Sequence, residues 1–323
     1  SWFSNVLKKI TTPATATPVT APAVVPTAKK GKQAYSGKVL NKINLNDRDS
    51  NKETYHIEIE ADGLEYQCGD SIGIVPENDS QVVTDIIALT NIDGNKSLEF
   101  KKEKFTIYEL LKRKINIFHL TERLIQQYAT TTGQEIPHGR ADLLDILKTY
   151  PVKNAAQFEE ILVGLNGISP RLYTIASSPA AHEGEVHIVV VKDTFIANDK
   201  KRFGICSDYL SKLKLNSTQQ FFVQPNKRFR LPAENKDIIM VGPGTGIAAF
   251  RSFLAERDAT GASGRNWLFF GEQHFASDFL YQTEIQNWHE TGVLTNINLA
   301  FSRDQKEKIY VQHKMLQHGA ELY

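Results

Sequence analysis

A β domain interrupted by a helical insertion and followed by an α/β domain is the fold class this sequence predicts, a multi-domain chain of α+β and α/β parts. Three observations carry it. Alternating or β-branched runs fill residues 34–78 and return at 171–176 and 185–191. Helical periodicity occupies the stretch between them, clearest in SQVVTDIIALT, TIYELLKRK, LTERLIQQYA and RADLLDILKTY. After Phe229, strand-like runs (DIIMV, WLFFG, LTNINLAFS) alternate with helical ones, which implies right-handed βαβ units and a parallel sheet.

The first ten residues, SWFSNVLKKI, place Trp2, Phe3, Val6, Leu7 and Ile10 on one helical face and suit the last turns of a helix whose domain lies upstream. Residues 11–33 are rich in Pro, Ala and Thr, with Pro13, Pro18, Pro22 and Pro26 breaking any apolar helix. Such a stretch suits a semi-rigid spacer of about 3 Å per residue, or an inert tail. Turn signals at Asp62-Gly63 and Gly69-Asp70 divide the first strands, HIEIEADG and EYQCGDSIGIV. Ser80, Thr106 and Thr121 sit where helix N-caps are expected. The division that follows is 34–79 with 167–232 for the β domain, 80–166 for the helical insertion and 233–323 for the α/β domain.

Composition narrows the function. The 323 residues carry 38 basic and 37 acidic side chains, a net charge of +1, so no global field draws the chain to nucleic acid or membrane. No apolar run approaches the roughly eighteen residues of a membrane span. Two distant cysteines, Cys68 and Cys206, make neither a disulfide framework nor a metal site, and a reducing cytoplasm is expected. The histidines are scattered without HExxH or triad spacing, and His187, inside a strand pattern, reads as structural. Position 1 is Ser and no signal-peptide core follows it, so a piece of a longer chain is expected.

Four segments carry chemistry. In RLYTIASSP (171–179), Arg171 suits a bidentate grip on phosphate and Tyr173 leaves the same strand face as a flat plate, a pairing that fits a flavin or adenine dinucleotide. Thr174 faces the other way unless the strand bends or ends there. An ordinary strand with an exposed Arg and a half-buried Tyr fits the same letters. DIIMVGPGTGIAAFRSFL (237–254) reads as a buried strand, a turn holding Gly242, Gly244 and Gly246, and a helix from about Ile247, an arrangement that offers free N–H groups to an anion. Its G-x-G-x-G spacing departs from G-x-G-x-x-G, and no Walker lysine follows, which argues against NTP hydrolysis. AFSRDQKEKIYVQ (300–312) gathers Ser302, Arg303, Lys308, Tyr310 and Gln312 past a strand's carboxyl end, where an Arg favours a 2′-phosphorylated nicotinamide cofactor over a free ribose. A solvated charged loop is the plain alternative. GICSDYL (204–210) opens a helix with a glycine and Ser207, suited to a diphosphate or to simple capping; Cys206, without a neighbouring His, is not a nucleophile.

Taken in this order, RLYTIASSP, GICSDYL, VGPGTGIAAF and FSRDQKEKIYVQ resemble the diflavin branch of the ferredoxin–NADP reductase superfamily. NWLFFGEQHFASDFLYQTEIQNW and AFSRDQKEKIYVQHK are most similar to the flavoprotein subunits of assimilatory NADPH–sulfite reductases, over residues 34–323. The resemblance implies an antiparallel β-barrel FAD domain, an inserted helical connecting domain and a parallel-sheet NADP-binding domain. It implies that Arg171 holds the FAD diphosphate, that Tyr173 stacks on the isoalloxazine and that Thr174 sits near the reactive nitrogen, so Tyr173 and Thr174 lie nearest the chemistry, with Leu172 between Arg171 and Tyr173 also at the cofactor. The strand Val189, Val190, Val191 would lie beside the flavin, Phe195 near the adenine end, and Gly204, Ile205, Cys206 and Ser207 around the diphosphate. Thr245, within Gly242–Gly246, would meet the nicotinamide nucleotide. Ser302, Arg303, Lys308, Ile309, Tyr310, Val311 and Gln312 match the 2′-phosphate-reading segment.

The implied activity is hydride transfer from NADPH to FAD. Electrons would then go to FMN on an upstream flavodoxin-like domain and on to a sulfite-reducing haemoprotein, in a complete subunit that forms an oligomer. A reductase for another haem acceptor, an FAD-binding docking module without NADPH oxidation, and an adenylate-binding module without flavin are the alternatives. Two departures stand out. Position 174 is Thr where the family usually has Ser, and the sequence ends at Tyr323, before the family's last strand with its Cys-Gly segment, acidic residue and terminal aromatic.

Overall fold

The computed structural model describes residues 33–197 and 200–323. The amphipathic segment 1–10 and all of the Pro-rich stretch except Gln33 lie outside the described residues. Three strands open the chain: β1 (Ala34–Asn44), β2 (Thr54–Glu60) and β3 (Ser71–Ile74). The insertion follows. It holds α1 (Ser80–Thr90), a hairpin of β4 (Ser97–Phe100) and β5 (Glu103–Thr106), and the short α2 (Ile107–Glu109), which runs into a π-helical turn at Leu110–Lys114. Three further helices complete it: α3 (Glu122–Thr132), α4 (Leu143–Thr149) and α5 (Ala155–Gly164).

The chain then returns to the first sheet with β6 (Arg171–Thr174) and β7 (Glu185–Val191), adds the small hairpin β8 (Thr194–Ala197) and β9 (Lys200–Phe203), and continues through α6 (Ile205–Ser211) to β10 (Thr218–Gln224). The last part alternates β11 (Ile238–Pro243), α7 (Ile247–Thr260), β12 (Asn266–Glu272), α8 (Phe275–Asp278), α9 (Gln282–Glu290) and β13 (Asn296–Phe301), and ends in α10 (Val311–Gln317) and α11 (Gly319–Leu322).

The first sheet has six strands in the order β6-β3-β10-β1-β2-β7, and every neighbouring pair is antiparallel. Its outer strands meet at a single bridge, Ile175 to Ile188, and no ladder joins them, so the sheet is an open one and not the closed barrel expected. The backbone changes partner within two residues: Ile175 N–H donates to Asp70 O, and Ala176 N–H donates to His187 O. One crossing point leaves no length for a ladder. The second sheet is parallel, β11-β12-β13, as the alternation implied.

Burial follows these layers. β1 and β10 alternate exposed and buried side chains, the mark of a sheet covered on one face. β7 does not alternate, because both its faces are covered. Val186, Ile188 and Val190 pack with Ile57, Ile59 and Ile72 inside the antiparallel sheet. Val189 and Ala176 instead join Met240, Ile247, Leu268 and Phe270 of the parallel-sheet half. Residues 83–165 form a separate core around Leu110, Phe158 and Leu162.

Several local expectations need adjusting. Thr106 caps α2 in a full capping box with Glu109, whereas Thr121 holds its cap position without a side-chain bond. Ser80 is the first helical residue, and its neighbour Asp79 is the cap, accepting from Gln81 N–H at 2.9 Å. Ser207 lies inside α6; Gly204 is the cap residue.

Candidate functional site

Two groups of candidate residues meet on either side of β7. On the antiparallel side, β6 pairs with β3 so that Tyr173 faces Ile72 and Arg171 faces Ile74. Arg171 is exposed and makes no ion pair among the described residues, while Leu172 is exposed and Thr174 half-buried. Tyr173 packs, partly buried, against the inner core to which Cys206 belongs. Burial, then the thiol, pushes the phenol's pKa up; burial also pushes the Cys206 thiol up to about 11, so neither ionises near neutrality. Cys206 is therefore an inert packing group, as its isolation implied.

The α6 start is tied to the end of β7. Gly204 N–H donates to Asp193 O at 3.0 Å, and the Ser207 hydroxyl accepts from Asp193 N–H and donates to Gly204 O, both at 3.1 Å. A Cβ on Gly204 would lie 2.9 Å from the Ser207 oxygen, so a larger residue there would have to displace the Ser207 hydroxyl. Ile205 lines a cavity of about 450 Å³ shared with Phe118, His119 and Arg202. Phe195 reaches the same helical insertion, its ring 5.0 Å from that of His119. The strand Val189–Val191 divides: the side chains of Val189 and Val190 point into two different cores, and only Val191 is partly open. A ligand beside this strand would meet backbone and Val191.

On the parallel side, β11 runs into a 3₁₀ turn, Gly244–Gly246, and then α7. Gly244 is set by its backbone, with φ +57°, and Gly242 by packing, since a Cβ there would lie 2.7 Å from the Phe250 ring. The turn packs against β7, which makes β7 a wall common to both groups. Next to it lies a cleft of about 430 Å³ lined by Gly244, Ser302, Tyr310, Val311 and Gln312. Gly242, Thr245, Gly246, Arg303, Lys308 and Ile309 are not among its walls.

The loop after β13 leaves its cations open. Arg303 and Lys308 are exposed and form no ion pair among the described residues. Their acidic neighbour Asp304 is held elsewhere, accepting from Phe275 N–H at 2.7 Å and meeting His274 Nδ1 at 2.9 Å. The backbone of Arg303 is fixed by its N–H to Gln273 O at 2.9 Å, and the Ser302 hydroxyl donates to Glu272 O at 3.3 Å.

Three residues in this cleft escaped the sequence reading. Lys52, from the β1–β2 loop, places its ammonium 2.7 Å from both carboxylate oxygens of Glu272, whose side chain is 4% exposed. Gln273 presents a buried Oε1 with no hydrogen-bond partner among the described residues. Glu272 and Gln273 follow WLFFG at a strand's carboxyl end, where open α/β sheets place their ligand sites, so that rule could have found them. Nothing in the local sequence marks Lys52.

A family model described as FAD binding domain matches residues 28–133, and one described as Oxidoreductase NAD-binding domain matches residues 240–322. The sulfite reductase (NADPH) flavoprotein alpha-component of Bacillus subtilis is 41% identical over 100% of this chain and 57% of its own length. Proteins of the same description from Aliivibrio fischeri and Vibrio parahaemolyticus are each 38% identical over 90% of this chain, and 50% and 49% of their own lengths. The chain thus spans about half the length of the curated relatives it matches.

Proposed function

The chain belongs to the flavoprotein reductases that join an FAD-binding domain to an oxidoreductase NAD-binding domain, alongside the sulfite reductase (NADPH) flavoprotein alpha-components, and on that premise we propose that it takes reducing equivalents from NADPH and passes them on through flavin. When bound, FAD supplies the link between two-electron and one-electron transfer. The protein binds, orients and shields. The observation that carries this reading is β7 itself, one strand that walls both the Arg171–Thr174 side and the Gly244–Gly246 turn.

The residues present fit both dinucleotides. Toward FAD, Arg171 offers an exposed guanidinium with no ion pair among the described residues, Tyr173 a partly buried ring, and Gly204–Ser207 a close turn at the start of a helix. The hydroxyl of Thr174, at the end of β6, would lie near the reacting nitrogen. Toward NADPH, Arg303 and Lys308 are exposed charges with no ion pair among the described residues, suited to the 2′-phosphate. Tyr310, 43% exposed, offers a face for adenine. Asp304 would repel that phosphate, but it is turned onto Phe275 N–H.

Beyond this chain, the reading includes FMN on a further domain, a sulfite-reducing haemoprotein as acceptor, an oligomeric complete subunit and a cytoplasmic setting, which suits two free buried thiols. It also takes the open antiparallel sheet as the FAD barrel, with boundaries 34–79 and 167–232, 80–166 and 233–323. Among the described residues no helix is long and apolar enough to cross a membrane.

A visible spectrum with and without added FAD tests the flavin half. Uptake of FAD, lost or weakened in Tyr173→Ala, supports it. A protein that stays colourless with excess FAD refutes it.

A further inference from the structure

One arginine fastens the two halves together. Arg251 lies in the second turn of α7, just past the glycine turn, and is 6% exposed. Its Nη1 donates to Ala176 O at 2.8 Å and to His187 Nδ1 at 3.2 Å. Its Nε and Nη2 grip both oxygens of Glu284 at 2.7 and 2.9 Å, and its guanidinium carbon sits 4.8 Å from the centre of the Tyr281 ring. Burial works against the charge, but the Glu284 carboxylate outweighs it and holds the pKa above its ordinary value.

Ala176 lies two residues beyond Thr174, and His187 two residues before Val189. The same guanidinium therefore reaches both ends of the crossing where β6 leaves one strand for another. His187 is seated to receive it: its Nδ1 accepts from Arg251, so the ring is neutral with its proton on Nε2, facing Glu185 at 2.8 Å. His56 joins through Tyr281, its Nδ1 2.7 Å from the phenol oxygen and its Nε2 3.0 Å from Glu58. His56, Glu58 and His187 lie close enough together to ligate a cation, their donor atoms all within 4.8 Å. The guanidinium against His187 already places a fixed positive charge there, so this cluster is a socket for Arg251 and not a metal site.

We propose that Arg251 is a positioning residue for hydride transfer: it fixes the flavin-side strand against the helix that carries the glycine turn. The inference rests on the reductase reading above. A buried bidentate cation is geometrically demanding, and a misplacement of about 1 Å between reacting groups costs up to roughly 100-fold in rate. Lysine cannot reproduce the fork, although it keeps the charge.

The test uses Arg251→Lys and, as a milder second variant, Glu284→Gln, each in the complete flavoprotein with FAD bound. Flavin reduction at saturating NADPH should fall roughly 10- to 100-fold in Arg251→Lys. NADP+ affinity, measured separately by calorimetry, should stay within about twofold, because no cleft residue is touched. The long-wavelength nicotinamide–flavin absorbance should weaken, and amide exchange at Ala176 and His187 should quicken, with smaller changes of the same sign in Glu284→Gln. Wild-type reduction rate and band in both variants, or a loss confined to NADP+ affinity, would overturn the proposal. If the unaltered protein is not reduced by NADPH, it is the reductase reading that fails. The exchange rates then still decide whether Arg251 fastens the crossing: unchanged rates reject it.

Discussion

Arg251 and Arg303 both belong to the parallel-sheet half, yet their surroundings are opposite. Arg251 is buried in the seam between the two sheets and has a protein acceptor for nearly every donor. Arg303 stands on the rim of the cleft, exposed, with only its backbone held. A buried cation that serves the fold is satisfied by the fold, whereas Arg303 has no ion pair among the described residues and its neighbour Asp304 is held by Phe275 N–H. The same contrast separates Arg202, which is paired with Asp142 at 2.8 Å and also with Asp145, from Arg171, which is open.

Substitutions should separate seam from rim. The largest effect is expected at Ile247, fully buried at the start of α7: Ile247→Ala should cost about 2–5 kcal/mol in stability by denaturant unfolding. A loss below about 1 kcal/mol would mean that the seam is loosely packed. Arg303→Ala should leave stability alone and weaken NADPH by roughly 1.5–3 kcal/mol, about one to two decades, while hardly touching NADH. Equal weakening of both would remove Arg303 from phosphate recognition.

The seam should also answer to pH. Burial first, then the charges of His56 and Arg251, hold His187 far below its ordinary 6.5, with His182, Glu58 and Glu185 also facing the cluster. The unfolded chain therefore takes up a proton there that the native state refuses. Stability from this group is complete above about pH 6.5 and declines below it by up to about 1.4 kcal/mol per unit. Unfolding midpoints from pH 7.5 to 5 should show the decline, and His187→Gln should flatten it. The smallest effect is expected from Lys52→Met, about 1 kcal/mol, since the ammonium is partly exposed and Glu272 keeps Gln273 N–H at 2.7 Å. High salt should shrink that difference; salt independence would point to packing instead.

What the sequence disclosed was local. The glycine turn and the helix after it are contiguous, so φ limits and close approach are written in neighbouring letters, and Ile247 as the helix start was legible. The alternation βαβα gave the parallel sheet for the same reason. The two small hairpins, β4–β5 and β8–β9, were missed because each strand has only four residues, too few for a period to show. The seam was beyond reach. His56, His187 and Arg251 come together only because β2 pairs with β7 in a register that sets Glu58 opposite His187. Lys52 and Glu272 are 220 positions apart and likewise meet only in the fold. His187 does read as structural, but what it supports is a guanidinium from the other half.

The most direct test of the account is anaerobic mixing of the FAD-loaded protein with NADPH and, separately, with NADH, following the flavin absorbance near its visible maximum. The account predicts rapid bleaching by NADPH at concentrations where NADH is one to two decades less effective, about the value of the charge-assisted contact to the 2′-phosphate. A bound flavin that both nucleotides bleach equally, or that neither bleaches, would contradict it.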